Sequence, residues 1–236
     1  MHRPPRTGRH AHTRPHRAAS LRTAYGGHQC RHAPSAPGSA GASRRLSIEK
    51  ALASALAPDG TPVLLVLAGC NGAGKTTFFE TFLRDTGIAF VNADDIARAL
   101  AATGPPVDPY RAAELAGGLR RDLVARRRTF CMKSVLSDPV GDKLEFLQAA
   151  QRAGYRVIFI WIRLASVELS IARVMQRVAA GGHDVPDAKL EARYRRTWHN
   201  ATAALRFADL ALVIDNSSAE RPFRHVETWR SGQPVG

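Results

Sequence analysis

The first 45 residues contain no aspartate, no glutamate and no lysine, while nine arginines give the stretch a formal charge of +9. Large apolar side chains are nearly missing there as well. Such a segment cannot bury enough surface to offset chain entropy, and its composition predicts a disordered basic tail over 1–45. An organellar targeting peptide is also acid-free, but the amphipathic spacing it needs is lacking, and Pro4, Pro5, Pro15, Pro34 and Pro37 interrupt the stretch. Cysteine is scarce. Cys30, Cys70 and Cys131 form neither a CxxC pair nor a Cys/His metal spacing, which argues against a disulfide framework or a zinc site and for reduced thiols in a cytoplasmic protein. No apolar run reaches the ~18 residues of a membrane span, and no secretory apolar region lies in the first thirty residues. Of the total charge of +14, residues 46–236 carry only +5, so nucleic acid is expected as a partner only through the tail.

Hydrophobic residues make up 44% of the chain, enough for one sizeable core, and the folded domain is expected over 46–236. Its organising stretch is GCNGAGKT, Gly69 to Thr76, between the apolar run Val63–Ala68 and a helical segment, Thr77–Arg84. Strand, glycine-rich loop and helix together are the context that a GxxxxGK[ST] phosphate-binding loop requires. Gly69, Gly72 and Gly74 permit a tight turn whose N–H groups point inward, and the positive end of the following helix adds to their field. Gly69, Cys70, Asn71, Gly72, Ala73, Gly74, Lys75, Thr76 and Thr77 are therefore expected to cradle the polyphosphate of a nucleotide. Lys75 would lie on the β/γ-phosphates, and Thr76 would offer its hydroxyl to Mg²⁺.

The remaining punctuation predicts alternating elements. A short helix is expected over 46–57, a strand over 88–92, helices over 93–102 and 109–127, a strand over 129–132 and a helix over 138–153. The apolar run 155–164 reads as a strand buried on both faces, followed by helices over 166–179 and from Pro186 to 205. A last core strand covers 208–214, with an edge strand over 226–229. This order predicts an α/β protein: a three-layer α/β/α sandwich around a mostly parallel sheet, with a helical lid.

Ligands of open parallel sheets sit at the carboxyl ends of the strands. Asp94 falls just beyond such an end. A carboxylate there can act as general base toward an acceptor hydroxyl, hold a metal-bound water, or simply cap the next helix, as Asn92 and Asp95 could also do. Arg173 and Arg177 are four apart and share a helix face, followed by Gly181-Gly182-His183 and then Arg193, Arg195 and Arg196. Two arginine-studded helices joined by glycines resemble a closing lid that clamps phosphoryl charge, and a solvated basic face is the plainer alternative. Arg126-Arg127-Arg128 reads as a helix end placed to suit the helix dipole.

In order and spacing, GCNGAGKTTFF, FVNADDIA, TFCMKSVLS, LSIARVMQRVAAGGHDVP, ARYRRTWHN and ADLALVIDNS resemble the small stand-alone members of the zeta-toxin family of P-loop kinases, over residues 62–217. The resemblance implies phosphorylation of a hydroxyl of UDP-N-acetylglucosamine by ATP. Asp94 would be the general base, Lys75 and Thr76 would hold ATP and Mg²⁺, and Arg173, Arg177, His183, Arg193 and Arg196 are candidates for the charge clamp. An antitoxin protein becomes a candidate partner on the same ground. One departure stands out: related sequences carry glutamate where this chain has Lys133, an inversion of charge at the end of the third strand. It favours, as the alternative, a nucleotide-binding protein with weak or no phosphotransfer. A nucleic-acid end kinase guided by the tail is a third reading.

Overall fold

The computed structural model describes residues 48–105, 108–180 and 185–235. The expected tail over 1–45 and the Gly181-Gly182-His183 link lie outside these residues. A first helix, α1, covers 48–55. Then follow β1 (Val63–Ala68), α2 (Lys75–Phe82), a 3₁₀ turn (Arg84–Thr86), β2 (Ala89–Val91), α3 (Ala93–Thr103), α4 (Pro109–Ala125) and β3 (Phe130–Ser134). The second half runs α5 (Asp142–Arg152), β4 (Arg156–Arg163), α6 (Val167–Ala179), α7 (Asp187–Leu205), β5 (Leu210–Asp215), β6 (Arg224–Arg230) and β7 (Gln233–Val235).

The sheet order is β2-β3-β1-β4-β5-β6-β7. The first five strands in that order pair in parallel, and β6 and β7 continue antiparallel as an edge hairpin. Alternation along the strands separates two cores. Val63, Leu65 and Leu67 pack with Ile48 and Leu52 of α1 and Phe78 and Phe79 of α2. Leu64, Val66 and Ala68 face the opposite layer, with Ala116 of α4, Leu147 of α5 and Ala204 of α7. β1 is buried on both faces and has strands on both sides, which is why its sequence, VLLVLA, is apolar throughout. The architecture is thus a helix-flanked, mostly parallel seven-stranded sheet of the P-loop NTPase type.

Several boundaries differ from expectation for identifiable reasons. α2 begins at Lys75, two residues early, because Gly74 turns the chain in a left-handed conformation (φ 90) directly into the helix. α5 begins at Asp142 and not near Asp138. Gly141 (φ 82) is its N-cap, and the Asp138 carboxylate instead accepts from Lys143 N at 3.3 Å. The expected edge strand is one arm of a hairpin whose second arm, β7, was not foreseen. Ser231 (φ 46) and Gly232 (φ 78) make the two-residue turn, the combination of positive φ values that suits the twist of a hairpin.

Candidate phosphate-binding site

Several residues of the glycine-rich loop are held by groups distant in sequence. A side chain at Gly69 (φ 154) would put its Cβ 2.2 Å from the Ile162 carbonyl oxygen, so the loop leaves β1 pressed against β4 in a way only glycine allows. From α6, the Ser170 hydroxyl donates to Asn71 O at 2.7 Å and Arg173 Nη1 donates to Gly72 O at 3.4 Å. Beyond β5, the buried Asn216 donates from Nδ2 to Ala73 O at 2.9 Å and accepts at Oδ1 from Phe223 N at 3.2 Å. The sequence pattern singles out neither Ser170 nor Asn216 as a site residue. A serine among the apolar positions of α6 and an amide directly after an apolar strand were the available signals.

Lys75, only 8% exposed, folds its ammonium back onto the loop, donating to Gly69 O at 2.7 Å and Cys70 O at 2.8 Å. Burial pulls its pKa down to about 8; Cys70 and Asp94 oppose that shift, while Lys133 and Arg177 reinforce it. The Cys70 thiol beside it is pushed up by burial, against the pull of Lys75 and Arg173. Thr76 and Thr77 follow on the exposed side of α2.

Asp94 is not the helix cap. Asn92 is the N-cap of α3, its Oδ1 accepting from Asp94 N at 3.2 Å, and the Asp94 carboxylate is free to turn toward the loop. There it meets Lys133, whose Nζ donates to Asp94 Oδ2 at 2.7 Å and to Thr76 Oγ1 at 3.2 Å. Lys133 stands on β3 opposite Leu67 of β1, with its side chain only 14% exposed, so the strand aims it at the loop and packing buries its stem. The Asp94 side chain is 73% exposed. Burial raises its pKa, but the bond to Lys133 and the charges of Lys133, Lys75 and Arg177 outweigh this and hold it below the usual carboxylate range.

The expected site residues are therefore not all in one place. Lys75, Thr76, Asp94, Lys133, Arg173 and Arg177 converge at the carboxyl ends of β1 and β3. Arg196 is committed elsewhere, donating from Nε to Ser137 O at 2.7 Å. With Thr197 Oγ1 on Val135 O (2.7 Å) and Asn200 Nδ2 on Leu136 O and Asp138 O (3.0 Å each), it clasps the loop that follows β3. Arg193 lies half-buried one turn earlier on α7. Asp215 is also occupied, taking Arg224 Nη2 at 2.7 Å and Ser217 Oγ at 2.5 Å.

The arrangement does not fit the Mg²⁺ expected at Thr76. The Thr76 hydroxyl and the Asp94 carboxylate, the two oxygens such an ion would take, both accept from one ammonium. A divalent ion about 4 Å from an ammonium would be repelled by roughly 8 kcal/mol at an effective dielectric of 20.

Fold and loop together define a P-loop kinase-like α/β protein. The model of the AAA domain family AAA_33 matches residues 64–197, more than half of the chain, and the chain belongs to that family. A protein from Haemophilus influenzae described as uncharacterized is 29% identical over 126 residues, 53% of this chain and 88% of its own length. Among solved structures, a chain of the AvrRxo1-ORF1:AvrRxo1-ORF2 complex with sulphate ions superposes with a TM-score of 0.57 at 18% identity, covering 82% of this chain and 66% of that one. The same complex with ATP gives 0.56 at 20% identity, with coverage of 82% and 66%. This chain thus spans just under two thirds of those structures' chains. Among the described residues, no helix is long and apolar enough to cross a membrane.

Proposed function

We propose that this protein is an ATP-dependent phosphotransferase acting on a hydroxyl of a small molecule, with UDP-N-acetylglucosamine as the acceptor suggested by its resemblance to zeta toxins. The observation that carries the reading is the convergence of the Lys75 loop, the Thr76 hydroxyl and the Asp94 carboxylate at one end of the sheet, within the field of Arg177. In the proposed reaction the loop N–H groups and Lys75 bind the β- and γ-phosphates. Asp94, kept ionised by Lys133, accepts the acceptor's hydroxyl proton as its oxygen attacks the γ-phosphorus. The bond to the bridging oxygen breaks, and ADP leaves with that electron pair. Arg173 and Arg177 balance the charge on the transferred phosphoryl group. Arg193 and His183 remain candidates for the same clamp, whereas the contact of Arg196 Nε supports a role in fixing the loop after β3. The domain reading, a tail over 1–45 and a kinase domain over 46–236, belongs to this proposal, as do a cytoplasmic location and a protein partner of antitoxin type. The solved relative was itself crystallised as an ORF1:ORF2 complex.

A specific observation favours a second reading, nucleotide binding without transfer: the 2.7 Å pair between Lys133 and Asp94 holds the intended base. Incubation with γ-labelled ATP and a panel of UDP-sugars, nucleosides and 5′-hydroxyl oligonucleotides separates the two. The expected result is label on a UDP-sugar hydroxyl, and a loss of about 10²–10⁴-fold in Asp94→Asn with ATP binding kept. Bound ATP with no labelled acceptor under any condition would establish the second reading.

A further inference from the structure

Lys133 is not an ordinary surface lysine. It stands beside Leu67 of β1 with its side chain only 14% exposed, and its ammonium bridges two oxygens from different elements, Thr76 Oγ1 of α2 at 3.2 Å and Asp94 Oδ2 of α3 at 2.7 Å. These are the two oxygens that a divalent ion at this loop would take, directly or through water. We propose that Lys133 is the built-in cation of the site, and that the loop binds the triphosphate of a nucleotide without a divalent metal.

Local charge points the same way. Lys75, Lys133 and Arg173 touch the loop, Arg177 adds its positive charge to the field there, and among the described residues Asp94 is the carboxylate that acts on Lys75. That balance is unfavourable for a divalent cation and matches a polyanion that brings none with it. A metal is bound reversibly and reaches its site with the nucleotide; a lysine on a central strand is already in place, aimed by the sheet and by two hydrogen bonds. The inference rests on the nucleotide-binding reading above, but its test can fail separately.

Calorimetric titration of ATP into the full chain, once with EDTA and once with excess Mg²⁺, measures it directly. Wild type is expected to bind in EDTA within about threefold of its affinity in Mg²⁺. In Lys133→Glu, binding in EDTA should fall at least tenfold and return on adding Mg²⁺. Lys133→Gln, which drops the charge and keeps an N–H donor on a side chain one bond shorter, should weaken in EDTA without that recovery, and melting curves of both variants establish that they are folded. Wild-type binding that needs Mg²⁺ by tenfold or more overturns the inference and leaves the nucleotide reading standing. Absence of binding under both conditions overturns both. Inorganic triphosphate as a second probe should show the same metal independence if the polyphosphate, not the base, is what Lys133 recognises.

Discussion

Lys75 carries its charge where little water reaches it, and the consequence for stability has a definite sign. Its pKa is about 8 in the folded chain against 10.5 for a free lysine side chain. Between these values the unfolded state holds more protons than the folded one, so this residue makes stability rise with pH across that window. The cost of the buried ammonium is fully present below pH 8 and gone above 10.5. It amounts to about 3 kcal/mol for the depression of roughly 2.5 units. Urea unfolding of wild type and Lys75→Met, repeated from pH 7 to 10.5, should show wild type gaining about that much relative to the variant. The same variant should lose the thermal stabilisation that ATP gives to wild type by mass action.

Elements matter to this site as fasteners. Asn216, at the end of β5, serves two buried backbone groups at once: the carbonyl of Ala73 in the loop and the N–H of Phe223. Asn216→Ala leaves both unpaired, and such groups cost roughly 1–3 kcal/mol each. The expected result is a loss of about 2 kcal/mol in urea unfolding, with ATP affinity down about tenfold by calorimetry because the loop is no longer fixed. That fastening could not be read from the chain, whereas the elements it joins could. The strands at Val63–Ala68 and Arg156–Arg163 announced themselves as unbroken apolar runs, since burial on both faces leaves no room for polar alternation. The phosphate loop was legible because its glycines are a local backbone requirement. β7 was not, because Gln233, Pro234 and Val235 are all exposed and no burial pattern marks them. The choice between cap and carboxylate at Asp94, and the commitment of Arg196 to Ser137 O, depend on which strands become neighbours, and helix spacing carries no trace of that. Lys133 was conspicuous in the sequence as a charge out of place, but its two partners emerged only from the register of β3 beside β1.

At the scale of the whole molecule, the edge hairpin is keyed to the helical layer by one turn residue. A Cβ at Gly232 would lie 2.2 Å from the carbonyl oxygen of Arg206, the C-cap of α7, and the residue's φ is +78. Gly232→Val should therefore cost about 2 kcal/mol or more, a drop of roughly 4–8 °C in melting temperature by differential scanning calorimetry. Nucleotide binding below the transition should be kept, because the loop's fasteners lie elsewhere. The order β2-β3-β1-β4-β5 has a further result. Asn71 depends on a hydroxyl 99 residues downstream, and Ala73 on an amide 143 residues downstream. Pairings of such long range make for slow assembly, since loop closure must precede the contacts that reward it. The apolar strand β1 leaves the ribosome well before either of its neighbours exists. The phosphate loop consequently matures only once Asn216 has been made: a chain halted at α5 would carry the complete GCNGAGKT sequence and still lack the scaffold that shapes it. Nucleotide capture by nascent chains of increasing length would thus date the arrival of β5 and Asn216.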